Sequence, residues 1–145
     1  MPILRSIAGV FVGMLAASLL IFVIEAAGHA VFPLPGDIDA TDLQAIRAAA
    51  EAGRIPAAAM AAVLVGWAVG AFAGAWIAAK VAGRMSLIHG SVVGGIILSG
   101  SVANLTMIPS PIWMWVGAFV LVPGAVYAAA LAAGEPLPSS PKPAA

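Results

Sequence analysis

The sequence contains no cysteine, so a disulfide, a thiolate metal site and a cysteine nucleophile are excluded, and thiol redox chemistry with them. Charge is nearly as scarce. Six Lys or Arg balance six Asp or Glu in 145 residues, 8% of the chain, against roughly 25% in a soluble domain. Without a basic excess there is no surface for the phosphate contacts of nucleic-acid binding, and nucleic acid is not expected as a partner. Also missing are a Gly-rich phosphate loop after a strand and a G-x-S-x-G elbow. Nucleotide-dependent and hydrolytic mechanisms therefore find no support, and neither an enzyme activity nor a cofactor is expected.

Long apolar runs fill the chain instead. Met85 to Gly134 hold fifty residues without one Asp, Glu, Lys or Arg, interrupted only by Pro109-Ser110-Pro111. A bilayer core needs about 20 apolar residues per helix, so this stretch predicts two membrane spans joined by a tight turn. Two further runs precede it, and the predicted spans cover about 6–32, 57–79, 87–108 and 112–133. Span one carries a Gly28-His29-Ala30 context that a signal peptidase accepts, but its 18 uncharged residues from Ile7 to Ile24 exceed the roughly 7 to 15 of a signal-peptide core. A retained helix is the expectation.

Residues 33–56 are the only long polar segment. Thr41-Asp42-Leu43-Gln44 fits a capping box, Ala45 to Ala52 has high helix propensity, and Gly53 followed by Pro56 supplies a stop. Leu43, Ile46 and Ala50 share one face, which suits a short amphipathic helix lying on the membrane over the spans. The fold class expected is an all-α four-transmembrane-helix bundle, one domain over 1–134, with this extramembrane helix between spans one and two. Residues 135–145, with four prolines, are expected to be a disordered tail.

Arg5, Lys80, Arg84 and Lys142 fall on one side of the predicted membrane and Arg47 and Arg54 on the other. That excess predicts an inner-membrane protein of bacterial type with both termini cytoplasmic, Trp113 and Trp115 at the outer interface and Trp76 at the inner one. His89, at the inner end of span three, is read as an orientation or headgroup contact.

Small residues recur at four-residue spacing in every span. Ala58, Ala62, Gly66, Gly70, Gly74 and Ala78 form the longest stripe, a glycine zipper in span two. Gly9, Gly13 and Ala17 repeat it in span one, Ser91, Gly95, Ser99 and Ala103 in span three, and Gly117 and Gly124 with Ala128 and Ala132 in span four. Because lipid provides no hydrophobic force between helices, close backbone approach at such stripes must hold them together. Packing within one chain is one use; homo-oligomerisation or docking into a larger membrane complex is the other. Pro123 is expected to kink span four, with Gly124 easing the bend.

Glu25 is the one acid inside a span, and His29 lies four residues on, on the same helical face. Ionisable groups at membrane depth are functional candidates by default. Antiparallel neighbours would bring Asn104 to the same level, and Ser18, seven residues before Glu25, extends the polar track. Three readings compete. Two ligands from Glu25 and His29 are fewer than the three or four a zinc site needs, so no metal is assigned. A relay or ligand path lacks polar residues in the inner half beyond Ser6, Ser91 and Ser99. A satisfied Glu25, His29 and Asn104 cluster acting as structural glue is the plainest account. Asp37, Asp39 and Asp42 lack the spacing of a calcium loop and read as a solvated turn. The sequence thus points to a small membrane protein with a structural, assembly or accessory role, the alternative being a small transporter or ligand- or metal-binding protein with an outward-facing Glu25, His29 and Asn104 cluster.

Overall fold

The computed structural model describes residues 2–83 and 85–134, and the expectations for Arg84 and for the proline-rich tail fall outside them. Among the described residues every regular element is an α-helix: α1 (Pro2–Val31), α2 (Leu43–Glu51), α3 (Ala57–Ala82), α4 (Ser86–Met107) and α5 (Ile112–Ala132). All but α2 are long and apolar enough to cross a membrane. Each long helix follows one of the apolar runs, with α3 extending past Lys80 to Ala82, where Gly83 at φ 69° closes it. Pro56 and Pro111 occupy the N-cap positions of α3 and α5, where a missing N–H costs nothing. α5 remains helical through Pro123, whose exposed ring faces away from the packed side.

The packing centres on α3, which touches α1, α4 and α5, whereas α1 meets α4 only marginally. Glycine sets these distances. A methyl group added to Gly74 would come within 2.7 Å of the Gly13 carbonyl oxygen, and one on Gly9 within 2.8 Å of the Ala78 carbonyl oxygen. Gly70 receives the Ile21 side chain and Gly28 abuts Ala62. The pairs run in opposite directions along the two helices, so α1 and α3 are antiparallel and in backbone contact over most of their length. The span-two stripe from Ala62 to Ala78 is therefore covered by α1, and Ala58 alone of that stripe is exposed and turned away.

Other faces of α3 serve the remaining helices. Ala75 lies against Gly90 of α4, and Leu64 fills the space that Gly117 leaves on α5. α4 and α5 then meet where Gly94 accepts Val126. The buried core accordingly consists of small residues, Ala17, Ala71, Ala75, Ala78, Ala118 and Ala129, around a few larger ones such as Trp67, Val93, Leu105 and Met114.

Two of the expected stripes face elsewhere. Ser91, Gly95, Ser99 and Ala103 are exposed on α4, and a Cβ at Gly95 would meet nothing within 4 Å. The packed face of α4 is one residue around, at Gly90, Val93, Gly94, Ile97 and Ser101. Ser99 can face outward because it satisfies its hydroxyl on its own helix, donating to the Gly95 carbonyl at 2.8 Å, as Ser101 does to the Ile97 carbonyl on the packed face. Gly124, Ala128 and Ala132 likewise face outward on α5.

The two ends differ in polarity. At the end bearing the N-terminus of α1, Lys80 Nζ donates to the Ala133 carbonyl at 3.0 Å and lies 5.9 Å from the Trp76 ring centre. At the other end, residues 32–56 cross from α1 to α3. There Asp42, not Thr41, caps α2 by accepting from the Gln44 N–H at 2.8 Å. Thr41 is held outside the helix because both its N–H and its hydroxyl donate to Asp39 Oδ1. On α2 the buried residue is Ala49, with Ile46 and Ala50 half-buried beside it, while Leu43 is exposed.

Candidate functional site

The connection and the helix ends around it enclose a cavity of about 510 Å3. α1 contributes Glu25 and His29, α3 contributes Ala59, Met60 and Val63, α4 contributes Asn104, and α5 contributes Met114. The segment from Pro33 to Ala40 and Ile46 of α2 close it. A chamber of this size, mostly apolar and carrying few polar groups, has the character of a small-molecule site.

Glu25 is placed by the α1 to α3 register. It sits six residues before the end of α1, about 9 Å along the axis at 1.5 Å per residue. Gly66 of α3 lies beneath it, so the Glu25 stem rests on bare backbone, 3.7 Å from where a Cβ of that glycine would be. The next residue, Trp67, is buried, and its indole N–H lies close enough to the Glu25 carboxylate to favour its charge. His29, one turn further along α1, is exposed towards the cavity and near enough to attract the carboxylate. Asn104 comes from the far side on α4; it is exposed, and its side-chain amide makes no hydrogen bond among the described residues. Ser110 Oγ donates to the Ile108 carbonyl at 2.8 Å, leaving its oxygen to face the cavity as an acceptor.

The structure thus brings Glu25, His29 and Asn104 to one chamber without joining them into a closed network. Ser18 is not among the lining residues: it is exposed on α1 two turns before Glu25, about 10 Å further along the helix from the cavity. Of the glycines proposed for packing, Gly9, Gly13, Gly70 and Gly74 make the close approaches, Gly66 makes ordinary contact under Glu25, and Gly95 makes none. No group of three or more His, Asp or Glu that could hold a metal ion occurs among the described residues.

Trp67 is the site residue that sequence reasoning missed. It is the one large polar-tipped side chain in the middle of span two, and it follows Gly66, which lies beneath Glu25. Its signal in the sequence is that place beside the glycine stripe of span two.

The loop acids are all engaged locally. Arg54 Nη2 donates to both carboxylate oxygens of Asp37, at 2.7 and 2.8 Å, tying the start of the connection to its end. That contact holds the Asp37 carboxyl below the usual aspartate range, and the Thr41 hydrogen bonds do the same for Asp39. Arg47 and Glu51 pair along α2 at 3.5 Å.

No protein-family model matches this chain, and no similar curated protein or solved structure was found. The functional reading rests on the site alone.

Proposed function

We propose that this chain is a multi-pass protein of the inner membrane, a four-helix bundle with α2 lying on its outer surface and both termini cytoplasmic, and that it binds a small molecule in the chamber lined by Glu25, His29 and Asn104. The observation that carries the binding reading is the unpartnered state of the cavity's polar groups. A structural cluster would spend the Asn104 amide and the His29 ring on Glu25. Instead no hydrogen bond joins Glu25, His29 and Asn104 among the described residues, and all three line one mostly apolar chamber. A few polar groups left open on an apolar wall are what orients a bound small molecule.

The test is native mass spectrometry of the protein extracted gently from its own membrane. A small-molecule adduct on the wild type that is absent from Glu25→Gln supports the reading. Bare protein in both overturns it. Glutamine has nearly the shape of glutamate and removes only the charge, so the variant is expected to fold.

A structural or accessory role is the second reading, favoured by the outward stripe of Ser91, Gly95 and Ser99 on α4, which is free to take another helix. The same experiment addresses it, because a defined homo-oligomer that Gly95→Leu dissociates would assign that stripe to self-association.

A further inference from the structure

The charges around the cavity restrict what can occupy it. Among the described residues no Lys or Arg lines the chamber, and Arg54 of the loop is committed to Asp37; the one basic group on the wall, His29, already faces the Glu25 carboxylate. A carboxylate or phosphate ligand would enter a mostly apolar space beside the Glu25 carboxylate and compete with it for that single imidazole, so its desolvation is poorly offset. The requirement reverses for a cation. Glu25 has two oxygens and about four lone-pair directions, and no hydrogen bond to its carboxylate meets ordinary geometry among the described residues, so acceptor capacity is left for a ligand. Asn104 and Ser110 add neutral oxygen acceptors at the rim. The remaining wall is hydrocarbon and thioether, from Met60, Val63, Ile46, Ile55, Ile108 and Met114, a lining suited to an aliphatic or ring body.

Building on the binding reading above, we infer that the chamber takes a lipophilic monovalent amine, its ammonium on Glu25 and its apolar body against Met60, Val63 and Met114. The ammonium and the carboxylate neutralise one another where either alone is costly. The ammonium supplies N–H donors, and the acceptors that face it are the free Glu25 lone pairs and the Asn104 carbonyl. A metal dication is the wrong partner, since one carboxylate and one imidazole leave its coordination sphere unfilled.

A matched set of probes separates charge from shape: 1-adamantylamine, 1-adamantanol and 1-adamantanecarboxylate share one rigid apolar body and differ only in the head. Binding is measured by equilibrium dialysis against the full chain in lipid nanodiscs, with empty discs subtracted. The expected result is that the amine binds at least tenfold more tightly than the alcohol and the carboxylate not measurably. Glu25→Gln should remove the preference for the amine, and Ser18→Ala, which lies outside the chamber, should leave it intact. Val63→Trp, which fills the chamber while sparing Glu25, should abolish binding of amine and alcohol alike. Equal binding of amine and alcohol by the wild type overturns the assignment of ligand class and leaves the cavity a neutral-ligand site. Binding of none of the three overturns the inference together with the binding reading. Amine binding that survives both Glu25→Gln and Val63→Trp would place it elsewhere on the protein and also overturn the inference.

Discussion

Gly13 and Gly74 touch backbone to backbone: a methyl group on Gly13 would land on the Gly74 carbonyl oxygen, and one on Gly74 would come within 2.7 Å of the Gly13 carbonyl oxygen. No side chain stands between α1 and α3 at this crossing. The contact is the closest point of a seam that continues through Gly9 and Gly70 and sets the level at which Glu25 faces Trp67.

Substitution at that crossing should be costly where the same change elsewhere is free. Gly13→Val forces the helices apart and is expected to destabilise the protein by about 3 kcal/mol, the upper end of ordinary overpacking. Gly95→Ala meets nothing within 4 Å, and it should be neutral or stabilising by up to about 1 kcal/mol through helix propensity. Reversible unfolding in mixed detergent micelles, read by circular dichroism, checks both. Equal losses at the two positions would contradict the seam.

Glu25 and Trp67 should be energetically coupled. Trp67→Phe keeps the ring in its buried site and removes the N–H, while Glu25→Leu removes the acceptor. A double-mutant cycle in the same unfolding assay is expected to give a coupling near 1 kcal/mol, in the range of hydrogen bonds between membrane helices. A coupling of zero would mean that the indole and the carboxylate do not interact.

The Asp37 to Arg54 clasp predicts a pH dependence with a definite sign. Arg54 holds the Asp37 carboxyl below its unfolded value, so the stabilisation is fully present above about pH 4, the ordinary aspartate range, and is lost as pH falls through the lowered value. Hydrogen exchange of the amides of residues 33–42 should be unchanged between pH 7 and pH 5 once corrected for intrinsic rates, and should accelerate only in acid. Arg54→Gln should produce the acid behaviour at neutral pH, and Arg47→Gln, which touches only Glu51, should not. Loss of protection between pH 7 and pH 5 in the wild type would exclude the clasp as its cause.

The cap of α2 offers a simple test. Asp42→Ala removes the acceptor for the Gln44 N–H and should cost about 1 kcal/mol of local helix stability. Thr41→Ala only loosens the turn with Asp39. Amide exchange within residues 43–51 should rise in the first variant and hardly in the second; the reverse order would restore Thr41 as the cap.

The four long helices were legible in the sequence because hydrocarbon length is a property of the run itself: Met85 to Gly134 has no charge to place in water, and Pro109-Ser110-Pro111 can only be its turn. Which face of each helix turns inward was less legible. The Gly66, Gly70 and Gly74 stripe was found, but the equally regular Ser91, Gly95 and Ser99 stripe faces outward. Spacing identifies a surface that permits close approach; it does not say whether a partner comes. The candidate site was half legible for the same reason. Glu25, His29 and Asn104 stand out as polar residues in apolar runs, whereas for Ser18 periodicity gives the face but not the depth, and it lies two turns from the chamber. Trp67 is illegible in the sequence because an aromatic at helical spacing is ordinary core, and this one is core as well.

The central position of α3 bears on how the protein is made. Its first helix emerges with Glu25 already aboard, and nothing in α1 supplies the indole that meets that carboxylate or the glycine floor beneath it. Both arrive only when α3 follows, after the polar connection. Until then His29, on the same helix, is the one group set against that acid, and the α1 to α3 hairpin is the first unit in which the carboxylate meets the rest of its surroundings. α4 and α5 are latecomers, added to a pair whose register the glycines have already set.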